Sequence, residues 1–248
     1  MTTAMMAFVV GSVLGVVFSL LGAGGGILAV PVLLVVFDAS MAEATGAALA
    51  VVWVAAVAGA FSHSRAGRVD LRVALTFGVP SVVGAVAGAK LHALVPERVT
   101  VALFSLVLFG ALFAMWKKKP DGGGRAVATG AVLLAGTVTG VLTGFLGVGG
   151  GFLIVPALSL WAALPLHKAV GTSMAVISLS SLSGAVVHLV DGHVPFALVL
   201  PMGAGAVLGA VVGAPLAGRL PERPLKIGFA VLAGAVALGM GAKAMGLL

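Results

Sequence analysis

The chain alternates long apolar segments with short connections that hold most of its charged residues. Ten such segments span residues 4–21, 27–37, 42–62, 69–91, 99–116, 126–146, 152–163, 169–189, 194–217 and 225–245. Most have close to the ~20 residues that a helix needs to cross a bilayer, but 27–37 and 152–163 have only about half that length. Both short segments directly follow a glycine cluster. The pattern predicts an all-α, polytopic membrane protein.

Composition excludes several function classes. Hydrophobic residues make up 61% of the chain and charged residues 8%, whereas soluble domains carry roughly a quarter charged residues. A soluble enzyme is therefore excluded, and the chain has no cysteine for a disulfide or thiolate metal site. Few charged residues lie inside the apolar segments, so we assign the net charge of +7 to the connections, where it orients the chain in the bilayer, and predict no nucleic-acid partner. We also predict no catalytic residues, metal or cofactor, because no His, Asp and Glu cluster is evident.

The second half of the sequence repeats the first at a constant offset of 125 residues. GAGGGILAVP at 22–31 returns as GVGGGFLIVP at 147–156. The same offset pairs His63 with His188 and preserves spaced glycines such as Gly11 and Gly136. We predict two homologous units, residues 1–124 and 125–248, in which the spaced glycines permit close helix packing.

The distribution of basic residues indicates how the two units are oriented. If each glycine-linked pair of segments made one broken crossing, the halves would be parallel and the 14 basic residues would divide 8 against 6. If each pair is a hairpin that returns to its own side, the halves are inverted and the division is 11 against 3. The positive-inside rule favours inversion, and two complete, closely packed crossings per pair would give the same division. We predict two inverted repeats, each a glycine-broken helix pair plus three transmembrane helices, with both termini extracytoplasmic.

The consecutive glycines predict an anion site. They can open a helix in the bilayer, and each cluster precedes a short helix whose unpaired amides and positive dipole end face the break. Such a helix start favours an anion, and inverted copies would bring two breaks together near the bilayer midplane. Close helix packing is the alternative role of these glycines. The predicted substrate-binding residues are Gly24, Gly25, Gly26, Ile27, Gly149, Gly150, Gly151 and Phe152, with Thr172 and Ser173 as hydroxyl donors.

The doubled motif GxGGGxLxVP also carries a family resemblance. Together with GTS at 171–173 and His188 before Asp191, it resembles the TauE/SafE sulfite exporter family, also called the toluene sulfonate uptake permeases. The resemblance covers nearly the whole chain and implies a carrier of the bacterial inner membrane for sulfite, sulfonates and related anions, often an exporter. The first half departs from the second, because TGAA at 45–48 replaces VGTS at 170–173.

The remaining polar residues refine this hypothesis. Serines in bilayer helices usually return their hydroxyl groups to the backbone, and we expect this of those that follow Ser173 in the same segment. His63 and His188, at equivalent helix ends, are candidates for a proton relay, with interfacial hydrogen bonding as the alternative. Acidic and basic residues lie near segment ends, so cation transport is disfavoured and backbone amides and hydroxyl groups would recognise the anion.

These observations predict a secondary transporter for small sulfur-containing anions. It would work by alternating access around the paired glycine breaks. Its predicted partners are the anion, the lipid bilayer and, as a candidate coupling ion, the proton. A passive anion channel on the same scaffold is the alternative.

Overall fold

The computed structural model describes residues 3–22, 26–92, 129–146, 151–192 and 194–221, together with 223–225, 227–228, 230–231 and 234. Regular structure in these ranges is helical, which confirms the all-α prediction. The main helices are α1 (Thr3–Leu21), α2 (Gly26–Val36), α3 (Met41–Arg65), α4 (Leu71–His92), α5 (Thr129–Leu146), α6 (Gly151–Leu160), α7 (Leu166–Val190) and α8 (Phe196–Arg219). Segment 99–116 and most of segment 225–245 lie outside the described residues.

Four of these helices, α1, α3, α7 and α8, are long and apolar enough to cross a membrane. Large apolar side chains cover the outside of the bundle, with Val35 83% exposed and Leu200 67% exposed. Water would disfavour so much exposed apolar surface, whereas lipid accommodates it. The chain is a multi-pass membrane protein.

The helices of the first glycine-linked pair are unequal in length. Helix α1 has 19 residues and α2 has 11, which correspond to about 28 Å and about 16 Å along the helix axis. The equivalent helices α5 and α6 have 18 and 10 residues. In each half, therefore, a helix of nearly full bilayer length precedes the glycine motif and a half-length helix follows it.

The sequence repeat recurs in the backbone geometry. Asp38 and Ala163, which are 125 residues apart, both have φ near 50° just after the two short helices. Gly67 and Gly192, separated by the same offset, have φ values of 67° and 74° after α3 and α7. Equivalent connections thus turn in the same way. The predicted boundary between the units lies within residues 93–128, outside the described part of the chain.

Helices from opposite halves pack closely through the spaced glycines. A Cβ added at Gly15 of α1 would collide with the carbonyl group of Ala206 in α8, and one at Gly140 of α5 would collide with that of Ser81 in α4. These two contacts interchange when each residue is replaced by its repeat equivalent. The prediction that spaced glycines serve close helix packing is confirmed.

The equivalent helices α3 and α7 run antiparallel. A Cβ added at Gly59 of α3 would lie 3.1 Å from Met174 Sδ near the start of α7. One added at Gly184, near the end of α7, would lie 2.9 Å from Leu49 near the start of α3. Residue numbers therefore increase in opposite directions along the two helices.

The two ends of the bundle differ in charge. The α3–α4 connection, the start of α7 and the end of α8 meet at one end, where Arg68 Nη1 donates a hydrogen bond to Ala214 O at 2.7 Å. We call this the basic end, because its described charged residues include Arg65, Arg68, Arg72, Lys168, Arg219 and Arg223. The described charged residues of the connections at the opposite end are Asp38, Glu43 and Asp191.

Candidate functional site

The two glycine motifs lie between a long helix and a short one. Helix α1 ends at Leu21, Gly22 has φ of 61°, and α2 begins at Gly26. In the second half, α5 ends at Leu146 and α6 begins at Gly151. Of the predicted binding residues, Gly24, Gly25, Gly149 and Gly150 lie outside the described part of the chain.

The other four motif residues open the two short helices. Gly26 and Gly151 are the first residues of α2 and α6, and Ile27 and Phe152 follow them. Backbone N–H groups in the first turn of a helix have no acceptor within that helix. The amides of Ile27 and Phe152 belong to this turn, so their predicted role in anion binding stays a prediction.

The start of the first motif contacts both α7 and the second motif. Ser173 Oγ donates a hydrogen bond to Gly22 O at 3.0 Å. A Cβ added at Gly22 would lie 2.6 Å from Ser173 Oγ and 2.9 Å from Val155 Cγ2. Val155 is the valine of the second GxGGGxLxVP motif, so the two copies meet at Gly22. Its positive φ and lack of space both require glycine there.

Gly22 is the last described residue before the interruption between α1 and α2, which we call the first break, and it lies toward the basic end of the bundle. Gly22 packs against Val170 and Ser173 in the first two turns of α7. Ser19, one turn earlier in α1, is close to His63 near the end of α3. The predicted meeting of the two breaks near the bilayer midplane stays a prediction. The second break lies outside the described residues.

Thr172 and Ser173 are fully buried, and their hydroxyl groups already have partners. Thr172 Oγ1 accepts the backbone N–H of Asp70 at 3.0 Å, which attaches the α3–α4 connection to α7. Ser173 Oγ is also 2.7 Å from Val170 O. In this conformation the two hydroxyl groups fix neighbouring backbone, rather than facing an open site as the sequence suggested.

The later serines of α7 follow the expected pattern. Their hydroxyl groups donate to backbone carbonyl groups three or four residues earlier, for example Ser181 to Ile177 O at 2.6 Å and Ser183 to Ser180 O at 2.7 Å. Ser178 and Ser180 do the same. The prediction that these serines bond to their own helix is confirmed.

The two candidate histidines have different environments. His63 is fully buried, and its Nε2 lies 3.0 Å from Ser19 O and 3.4 Å from Ser19 Oγ. His188, at the equivalent position near the end of α7, is only partly buried. The structure therefore places His63 beside the end of α1, with its Cβ 3.1 Å from a Cβ added at Gly171 of α7, at the opposite end of the bundle from His188.

Arg68 is a functional candidate that the sequence analysis missed. Its half-buried side chain reaches across to α8, where the guanidinium group packs on Gly218 and bonds to Ala214 O. It is also close enough to His63 for electrostatic interaction. Arg68 therefore adds a fixed positive charge at the basic end, beside the amides and hydroxyl groups that the sequence analysis expected to recognise the anion. The partners are about 150 residues away in sequence, so only the fold reveals them.

Comparison with known proteins identifies the family. The family model described as "Sulfite exporter TauE/SafE" matches residues 7–240. The chain belongs to this family. It is 30% identical over 230 residues to the probable membrane transporter protein YdhB of Bacillus subtilis, covering 90% of this chain and 94% of that protein. It is 27% identical over 255 residues to a probable membrane transporter protein of Methanocaldococcus jannaschii, covering 95% and 94%.

Membership in the TauE/SafE family makes the chain a membrane transporter. A second Bacillus subtilis relative, the probable membrane transporter protein YunE, is 29% identical over 244 residues, covering 88% of this chain and 89% of that protein. In this TauE/SafE transporter, the described residues bring Gly22, Ser173 and His63 together at the basic end. They do not bring His188 to that group.

Proposed function

We propose that this transporter is a secondary carrier of small sulfur-containing anions, such as sulfite or sulfonates, that works by alternating access around its paired glycine breaks. The observation that carries the proposal is the contact of Gly22 with Ser173 and Val155. This contact joins the first glycine motif to the second, so movement of one half relative to the other changes the surroundings of both breaks. The family description supports sulfite as the type of substrate and export as the direction.

The direction of the helices supports the inverted arrangement. Two halves with the same orientation in the membrane would place the equivalent helices α3 and α7 parallel. The contacts of Gly59 and Gly184 instead make them antiparallel, as a two-fold axis in the membrane plane requires. Inverted halves can exchange conformations, which is a structural basis for opening first to one side and then to the other.

The charge difference between the two ends supports an orientation. We assign the basic end to the cytoplasm, because Lys and Arg are enriched in cytoplasmic connections. The N-terminus, at the start of α1, then lies outside the cytoplasm, and so does the C-terminus in the inverted arrangement. The family resemblance favours the bacterial inner membrane.

Anion binding by Ser173 would require its hydroxyl group to change partners. Ser173 now donates to Gly22 O, and Thr172 accepts from Asp70 N–H. A hydroxyl group has one hydrogen to donate, and Ser173 Oγ has two carbonyl acceptors, Val170 O at 2.7 Å and Gly22 O at 3.0 Å. Ser173 must therefore turn away from both before it can donate to an anion. The conformation described here is then one in which Ser173 holds the break, and an anion-bound state would replace this contact by one to the substrate.

The proposal is tested with the purified protein in two steps. A thermal-shift screen against sulfite, sulfoacetate, taurine, thiosulfate, sulfate and acetate identifies the ligand class, because a true ligand stabilises the folded state by mass action. Counterflow of the labelled ligand in proteoliposomes then separates a carrier from a passive channel, since only a carrier drives uphill exchange. We expect stabilisation and counterflow with a sulfur oxyanion. A response to acetate alone would refute the substrate class, and flux without counterflow would favour the channel.

A further inference from the structure

One buried titratable side chain at the basic end has an unused ring nitrogen. His63 is 0% exposed, and its Nε2 lies 3.0 Å from Ser19 O. Because a carbonyl group only accepts, Nε2 must carry the hydrogen of the neutral ring. The other nitrogen, Nδ1, is then an acceptor, and it is buried with no hydrogen-bond partner among the described residues. It is therefore available to bind a proton.

A proton on Nδ1 would add positive charge to a site that is already positive. The titratable groups that act on His63 are Arg68, from the α3–α4 connection, and His167, from α7. Helix α1 contributes only the hydroxyl and carbonyl groups of Ser19. Asp70, the described carboxylate of the α3–α4 connection, accepts the Val73 N–H at the start of α4. The described residues thus leave the charge of a protonated His63 uncompensated.

An anion bound beside the end of α1 would supply the missing negative charge. Ser19, the partner of His63, is three residues before Gly22, whose carbonyl group accepts from Ser173. His63 therefore contacts the same end of α1 that leads into the break. A proton on His63 and an anion beside it would stabilise each other, and this coupling must be reciprocal.

We infer that His63 binds a proton that crosses the membrane together with the anion, which makes the carrier a proton–anion symporter. This inference rests on the proposed function and names its coupling ion. The net direction of transport then depends on the sum of the anion and proton gradients. Export proceeds when the outward anion gradient is larger than the inward proton gradient. The proton binds at Nδ1 when the anion enters and leaves when the anion leaves.

His188 does not share this arrangement. It is partly buried at the opposite end of the bundle, and the repeat equivalent of Ser19 is Gly144, which has no hydroxyl group. We therefore place the proposed proton site at His63, beside Ser19. His188 provides a matched control, because it is the same residue type at the equivalent position of the other half.

The test compares His63→Gln with His188→Gln in proteoliposomes with labelled sulfoacetate. The glutamine amide that replaces the His63 ring can keep a donor toward Ser19 O, but it does not bind a proton at the pH values of the experiment. Sulfoacetate keeps its charge between about pH 6 and pH 8, since carboxyl groups titrate near pH 4. Wild type and His188→Gln should accumulate sulfoacetate when the outside is acidic. His63→Gln should lose the accumulation driven by the pH gradient, and any counterflow that it keeps should no longer depend on pH. Accumulation by His63→Gln at the wild-type level would overturn the inference.

A measurement on wild type guards against a variant that fails to fold. A sulfoacetate gradient should drive proton movement in the same direction, detected with a pH-sensitive dye inside the vesicles. Sulfoacetate affinity should also rise as pH falls, by at most about tenfold per pH unit for one proton. Counterflow without proton movement would overturn this inference and leave the proposed function standing. Absence of counterflow with every sulfur anion of the screen would refute both.

Discussion

The α3–α4 connection and its repeat equivalent, the α7–α8 connection, are attached to the bundle in different ways. At the basic end, Thr172 accepts the backbone N–H of Asp70. The equivalents of these two residues at the opposite end are Ala47 and Pro195. Proline has no N–H, so alanine leaves no donor without an acceptor. The two sequence differences therefore match each other, and Thr172 is in part a structural residue.

The same two ends differ at their histidines. His63 is buried beside Ser19 and near Arg68, whereas His188 is partly buried and its equivalent neighbour is Gly144. The scaffold is thus symmetric in its glycine contacts but asymmetric in its polar groups. A symmetric scaffold can supply the exchange between two conformations, while the asymmetric groups concentrate the polar chemistry at the basic end.

The largest expected effect is at the contact that joins the two motifs. Gly22→Val should abolish transport and destabilise the protein, because φ of 61° costs a β-branched residue about 1–3 kcal/mol and the new Cβ would press on Ser173 and Val155. Transport in proteoliposomes and thermal unfolding in detergent measure the two effects. Gly67→Val is the matched control, since Gly67 has φ of 67° but no neighbour within 4 Å of an added Cβ among the described residues. Equal losses of transport and stability in both variants would show that the contact of Gly22 with Ser173 and Val155 contributes to neither.

A smaller effect is expected at the α3–α4 connection. Thr172→Val should destabilise the protein by about 1 kcal/mol, because it leaves the partly buried N–H of Asp70 without its acceptor. Hydrogen exchange of the Asp70 amide should become faster. Ala47→Thr is the control at the opposite end, where Pro195 offers no N–H and no stabilisation should follow. Unchanged hydrogen exchange of the Asp70 amide in Thr172→Val would show that Thr172 has no structural role.

The smallest effect is expected at a serine that bonds only to its own helix. Ser183 is exposed on α7, and its hydroxyl group donates to Ser180 O. Ser183→Ala should change stability by no more than about 0.5 kcal/mol and leave transport at the wild-type level. Ser173→Ala, which loses the bond to Gly22 O, should impair transport in the same assay. A loss of transport in Ser183→Ala would mean that hydroxyl groups beyond Ser173 also serve the substrate.

Local patterns in the sequence predicted much of the fold. Segment lengths predicted the long and short helices, and the spaced glycines predicted close helix packing, which Gly15 and Gly140 provide. These features depend on spacing along one helix or on the repeat, both of which can be read directly from a sequence. The hydrogen bonds from the α7 serine hydroxyl groups to carbonyl groups three or four residues earlier are also local, so the sequence could predict them.

The candidate site depends on contacts between distant residues. Arg68 lies 146 residues from Ala214, and Ser173 lies 151 residues from Gly22. Sequence could identify Ser173 as a polar residue near a helix start, but not that a carbonyl group of the first motif already occupies it. Likewise, the burial of His63 follows from the packing of α1 against α3, which no pattern around His63 specifies.

The central claim is that Ser173 leaves Gly22 during transport, and cysteine accessibility tests it directly because the chain has no native cysteine. Ser173→Cys should be protected from a membrane-impermeant thiol reagent in the conformation described here, and addition of the transported anion should change its labelling rate severalfold. Ala66→Cys, on the exposed α3–α4 connection, should be labelled equally with and without the anion. Identical labelling of Ser173→Cys with and without the anion, in protein that retains counterflow, would contradict the account.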